Sequence, residues 1–139
     1  LLAWMDEIAS ISAHRHCGRV VVTASVNNVS FDRPIFSGEI VTLEAKVSRS
    51  FSSSMEVFVD VHVEKSNGQR EKCNEAIYVF VAIDQNRSPI NIPVLIPESI
   101  EEKERFDSAL RRKQLSLVLA GRMNPEDAVE LKTALFPNL

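Results

Sequence analysis

Asp6 is the residue whose type and setting first point to chemistry. It lies in Leu1–Cys17, LLAWMDEIASISAHRHC, a stretch that reads as one helix. At about 100° per residue, Leu1, Trp4, Met5, Ile8 and Ile11 form an apolar stripe, and Asp6 falls beside Ala9, Ser10, Ala13 and Cys17 on a second face. Small side chains let another surface approach closely. A carboxylate among them is placed either as a general base in a cleft or as a solvated charge near a helix start.

Other reactive residue types are scattered. Ser48-Arg49-Ser50-Phe51-Ser52-Ser53-Ser54 sets hydroxyls and amides beside one guanidinium, which suits either a phosphate cradle or a polar turn between strands. Arg111-Arg112-Lys113 reads as a solvated helix face or as a phosphate contact. The three histidines do not make a metal site: His14 and His16 point about 200° apart on a helix, and His62 falls on the polar parity of a strand. No metal is therefore expected. Cys17 and Cys73 lack metal-type spacing and read as reduced thiols. Neither a Gly-rich phosphate loop nor a nucleophile-elbow sequence occurs.

The elements that must position these groups follow from periodicity. Gly18 sits where the first helix should stop. Arg19–Phe31 is rich in β-branched residues, with a bulge expected around Asn27–Asn28, and a second strand is expected over about Glu39–Ser48. Met55, Val57, Val59, Val61 and Val63 alternate with polar residues in the clearest strand of the chain. Asn67-Gly68 signals a tight hairpin into a fourth strand near Glu71–Asp84, largely apolar on both parities and therefore central, covered by the helix and by a further surface such as a second subunit. Asn86–Pro97 reads as an extended connector, Ser99–Arg122 as a helix with acids before bases, and Asn124-Pro125-Glu126-Asp127 as the start of a short last helix through about Leu135. A helix followed by long antiparallel strands is an α+β arrangement. The division expected is residues 1–85 as one domain and 86–139 as a connector and C-terminal helical tail.

Composition narrows the class. At 139 residues, 45% hydrophobic and 25% charged, the chain has the profile of a soluble globular protein with room for a real core. A net charge of −3 argues against nucleic acid as a partner, and no apolar run approaches a membrane span. With no signal-peptide pattern and two unpaired cysteines, a cytoplasmic location is expected. The sequence begins with Leu1 already inside the helical pattern, so a truncated N-terminus is expected.

Five stretches, in order, resemble the hot dog fold acyl-CoA thioesterases, the acyl-CoA hydrolase family that includes the bacterial cytosolic enzymes and the brown-fat-inducible thioesterase. They are Leu2–Ala9 (LAWMDEIA), Val21–Phe31 (VVTASVNNVSF), Pro34–Val41 (PIFSGEIV), Arg49–Val57 (RSFSSSMEV) and Val79–Asp84 (VFVAID). The resemblance implies a long central helix wrapped by an antiparallel sheet, with dimers that often assemble into hexamers. It implies an enzyme of lipid metabolism that hydrolyses acyl-CoA to fatty acid and coenzyme A, with no cofactor, since coenzyme A arrives as part of the substrate. Asp6 matches the family's catalytic carboxylate, which would either activate water or attack the thioester itself through an anhydride. Thr23, Ser53 and Ser54 match positions near the ligand channel, and Arg49 joins them on its charge as a substrate contact. The oxyanion donors would come from the start of the central helix and an Asn/Gly-rich segment ahead of Leu1. The alternative function is a hot dog module that binds acyl-CoA, or serves structure, without cleaving it.

Overall fold

The computed structural model describes residues 2–31 and 33–137; Leu1 lies outside them, as do the side chains of residues 2 and 28–31. Two compact units divide the chain, residues 1–95 and residues 96–139. The first holds α1 (Leu2–Cys17), β1 (Val20–Phe31), β2 (Ile40–Ser50), β3 (Ser54–Glu64) and β4 (Arg70–Ile83). Its strands form one antiparallel sheet in the order β1-β4-β3-β2.

α1 ends where glycine permits. Gly18 takes a φ of 67°, and its N–H donates to the His14 carbonyl at 2.7 Å. His14 and His16 hold backbone carbonyls, those of Arg19 and Pro93, both at 2.8 Å. The ridge that α1 buries is Met5, Ala9 and Ala13, each without exposed surface, whereas Trp4 is 65% and Ile11 47% exposed. Of the apolar stripe expected from the sequence, Met5 is buried and Ile8 packs against the core, but Trp4 and Ile11 do not join them. Two alanines one turn apart let the helix come close to a sheet already filled by valines, and large side chains on that ridge would hold the helix off.

Opposite residues on antiparallel strands share a face, so the register sorts the sheet. On the α1 side lie Met55, Val57, Val59, Val61 and Val63 of β3, with Ala76, Tyr78, Phe80 and Ala82 of β4, and all belong to the core. Each fully buried valine contributes roughly 1.5–3 kcal/mol relative to exposure. The β3–β4 hairpin closes as Asn67-Gly68 predicts: Gly68 has a φ of 83°, and the Gln69 N–H donates to the Asn67 side chain at 3.0 Å.

The register breaks twice in β1, between Thr23 and Ser25 and between Asn27 and Ser30. The second break is the one expected near Asn27–Asn28; the first has no signal in the residue types. Further shifts fall between Val47 and Arg49 and between Val61 and His62. Between β1 and β2, Arg33 bonds Glu39 at 2.6 Å and Glu71 at 3.2 Å, and the Glu39 carboxylate also accepts from the Phe36 N–H at 2.7 Å. The guanidinium holds both carboxyls below the ordinary carboxylate range. After β4, residues 84–95 run back along the same unit, with the Ile92 N–H donating to Ser52 O at 2.8 Å and the Leu95 N–H to Ser50 Oγ at 3.0 Å.

The second unit holds α2 (Ile100–Leu119) and α3 (Val129–Leu135). Ser99 and Glu102 form a reciprocal capping box at the start of α2. Asn124-Pro125 opens a single 3-10 turn, Pro125–Asp127, rather than running directly into α3, and the Asn124 side chain makes no capping bond. Gln114 clasps the two helices, donating to Glu130 at 2.5 Å and accepting from the Leu131 N–H at 2.9 Å.

Candidate active site

Asp6 lies one residue past Met5 on α1, so its side chain leaves the buried ridge and emerges at the flank facing β1. There the Thr23 hydroxyl donates to Asp6 Oδ1 across 3.5 Å, a long bond between two exposed side chains. Thr23 reaches α1 because it pairs with Phe80, whose ring is in the core on the helix side. The small-residue face, expected to let another surface approach closely, is occupied by the sheet itself: Ala9 and Ala13 are buried there, and Asp6 stands at its margin.

The other sequence candidates take different places. Arg49 pairs with Glu56 and Ser54 with Val81, which puts both on the sheet face opposite Thr23 and α1. The Arg49 guanidinium lies 5.9 Å from the centre of the Phe51 ring. Ser53 is in the β2–β3 turn, where its carbonyl accepts from the Ala82 N–H at 3.0 Å. One chain therefore brings Asp6 and Thr23 together and holds Arg49 and Ser54 away from them. The Asn/Gly-rich segment expected ahead of Leu1 lies outside the described residues.

One residue that feels the Asp6 charge was not singled out from sequence. Tyr78, 2% exposed, sits on the helix side of β4, and burial first, then the Asp6 charge, push its phenol above the ordinary tyrosine value. Its signal in the sequence was its parity, shared with Ala76, Phe80 and Ala82. Among the described residues, no group of three or more His, Cys, Asp or Glu is arranged to hold a metal ion, and no helix is long and apolar enough to cross a membrane.

A carboxylate at a rim, touched by a hydroxyl and backed by an aromatic layer, can orient or deprotonate water next to an apolar ligand. Comparison with known proteins agrees in family. The model for the thioesterase superfamily matches residues 1–68. An uncharacterised acyl-CoA thioester hydrolase of Bacillus subtilis is 43% identical over 113 residues, which are 81% of this chain and 66% of that protein. The cytosolic acyl coenzyme A thioester hydrolase of Rattus norvegicus is 34% identical over 126 residues, 88% of this chain but 33% of that one. The chain thus spans between a third and two thirds of the length of these two relatives. A crystal structure of an apo-hexameric acyl-CoA thioesterase superposes with a TM-score of 0.81 at 35% identity, covering 86% of this chain and 77% of the other. The Asp6 helix, the antiparallel sheet and these matches together make the chain a member of the hot dog fold acyl-CoA thioesterases, within the thioesterase superfamily.

Proposed function

We propose that the protein hydrolyses acyl-CoA thioesters, with the Asp6 carboxylate activating water. The observation that carries this reading is the contact of Asp6 with the Thr23 hydroxyl, in a chain 43% identical to an acyl-CoA thioester hydrolase. Asp6 takes a proton from water as the oxygen bonds to the thioester carbon. When the tetrahedral intermediate collapses, the C–S bond breaks and the coenzyme A sulfur receives that proton, leaving a fatty acid and free thiol. Thr23 fixes the carboxylate so that its free oxygen faces the water.

The working form is a homo-oligomer, a dimer or a hexamer built as a trimer of dimers. Its support is the hexameric relative and the exposed valines of β1, a strand paired on one side only. Arg49, Ser53 and Ser54 are assigned to the coenzyme A moiety and serve a substrate bound at a neighbouring copy, because one sheet holds Arg49 and Ser54 away from Asp6. The cytoplasm is the compartment proposed, in keeping with the cytosolic rat relative.

The test is thiol release from acyl-CoA of varied chain length. Asp6→Asn should lower turnover by about 100-fold or more, the scale of a lost general base, with melting unchanged. Full activity in Asp6→Asn would overturn the assignment, and saturable binding without turnover by the unsubstituted chain would establish the binding module instead.

A further inference from the structure

Residues 84–95 return from β4 as a strap that is tied on two sides. On one side is the turn between β2 and β3: the Ile92 N–H donates to Ser52 O at 2.8 Å and the Leu95 N–H to Ser50 Oγ at 3.0 Å. On the other is the C-terminal end of α1, where His16 Nε2 meets the Pro93 carbonyl at 2.8 Å. A carbonyl only accepts, so the hydrogen is on Nε2. Proline has no N–H of its own, which leaves that carbonyl as the backbone group through which Pro93 is held. The middle of the strap is fixed by burial, since Ile92 belongs to the core and Ile90 packs against it, and the Ile90 N–H donates to Ala82 O at 3.1 Å. The Ala82 N–H in turn donates to Ser53 O at 3.0 Å, and the Phe51 N–H closes the turn on Ser54 O at 2.7 Å. The turn is thus tied through its backbone and Ser50, whereas the Ser53 hydroxyl makes no hydrogen bond among the described residues.

We infer that His16 is a positioning residue for the coenzyme A end of the substrate: by holding Pro93 it sets the strap, and the strap sets the turn that presents Ser53. The inference rests on the proposed assignment of Ser53 to coenzyme A and names what keeps that serine in place. A turn tied in this way is pre-organised, so binding does not have to order it. Without the His16 bond the strap is loose at the end that carries Leu95, the Ser50 hydroxyl loses its donor for part of the time, and the ligand meets a more mobile turn. The cost falls on binding and not on the chemical step. α1 is itself held by Met5, Ala9 and Ala13, so Asp6 keeps its place when His16 is removed. His14 supplies the contrast, because its bond of the same length goes to Arg19 O beside its own helix end and does not reach the strap.

The test compares variants of the full chain in acyl-CoA hydrolysis and in titration with free coenzyme A. His16→Ala should raise KM and the Kd of coenzyme A by about 10-fold, one hydrogen bond's worth of affinity, with kcat within about twofold. His16→Gln, whose amide offers an N–H donor, should recover most of that loss, and His14→Ala should leave both constants unchanged. Ser50→Ala cuts the same path at Leu95, so adding it to His16→Ala should cost less than the sum of the two. Independently of substrate, amide hydrogen exchange at Ile92 and Leu95 should quicken by about 10-fold in His16→Ala and not in His14→Ala. A merely structural role would lower the melting temperature and leave KM and kcat of the folded enzyme as they were. That outcome, or unmoved exchange at Ile92 and Leu95, overturns the inference while hydrolysis by the unsubstituted chain stands. A chain that neither hydrolyses nor binds acyl-CoA overturns the proposed function, and the part given to His16 falls with it.

Discussion

β1 and β3 are both long and valine-rich, and they end in opposite surroundings. β3 is paired on both sides, and every residue from Ser54 to Val61 is buried. β1 is paired with β4 alone, and Val20, Val22 and Val26 are 64%, 44% and 45% exposed. Composition cannot tell these strands apart, because place in the sheet decides what valine does. In β3 valine makes the core. In β1 it makes a surface, beside Thr23, whose hydroxyl contacts Asp6. Stability is carried on β3, and the chemistry proposed above falls beside β1.

That separation can be broken by substitution. The largest expected effect is on β3: Met55→Ala should cost about 2–5 kcal/mol of folding stability in urea titrations, as for other buried methionines, while the folded fraction keeps its turnover. Next comes Thr23→Ala, expected to lower kcat by about 10-fold through a loosened Asp6 with folding stability shifted by less than about 0.5 kcal/mol; a loss of stability like that of Met55→Ala would erase the distinction. Val22→Lys should reduce the assembly seen by light scattering, since a charge on an exposed strand edge opposes pairing, while far-ultraviolet circular dichroism stays native. The smallest effect is expected in the segment joining β1 to β2. Glu39 and Glu71 are held below their usual values by Arg33, so they contribute stability above the unfolded carboxylate value of 4.5, and it is lost as pH falls through their lower folded values. Arg33→Ala should flatten that stretch of the stability–pH curve and leave the neutral-to-alkaline part unchanged.

Much of this fold was legible in the sequence because alternation and punctuation are local. Met55–Val63, Asn67-Gly68, Gly18 and the acid-before-base order of Ser99–Arg122 each announced their element, and Asp6 was marked by its setting and by the family resemblance. What stayed hidden is relational. The buried ridge of α1 runs through Met5, Ala9 and Ala13 because of what the sheet presents, so the expected stripe was right in Met5 and Ile8 and misled in Trp4 and Ile11. Arg49 and Ser54 are suitable chemical groups, but their side of the sheet follows from partners on other strands. Tyr78 is the core residue its parity implies, and only the fold brings the Asp6 charge to bear on it.

The first irregularity of β1 gives the strand two reading phases. Before it, odd positions such as Val21 and Thr23 turn toward the helix; after it, even Val26 does, with Ala24 as the extra residue between. A one-residue deletion at Ala24 would therefore leave a regular ladder, with Thr23 still opposite Phe80 and Val26 opposite Tyr78, and would remove only the local bend. A deletion at Val22 has no extra residue to absorb it: with Thr23 kept opposite Phe80, Val21 would pair with Val81 and turn to the opposite face. The strand can shorten at its bulge but not along its paired length.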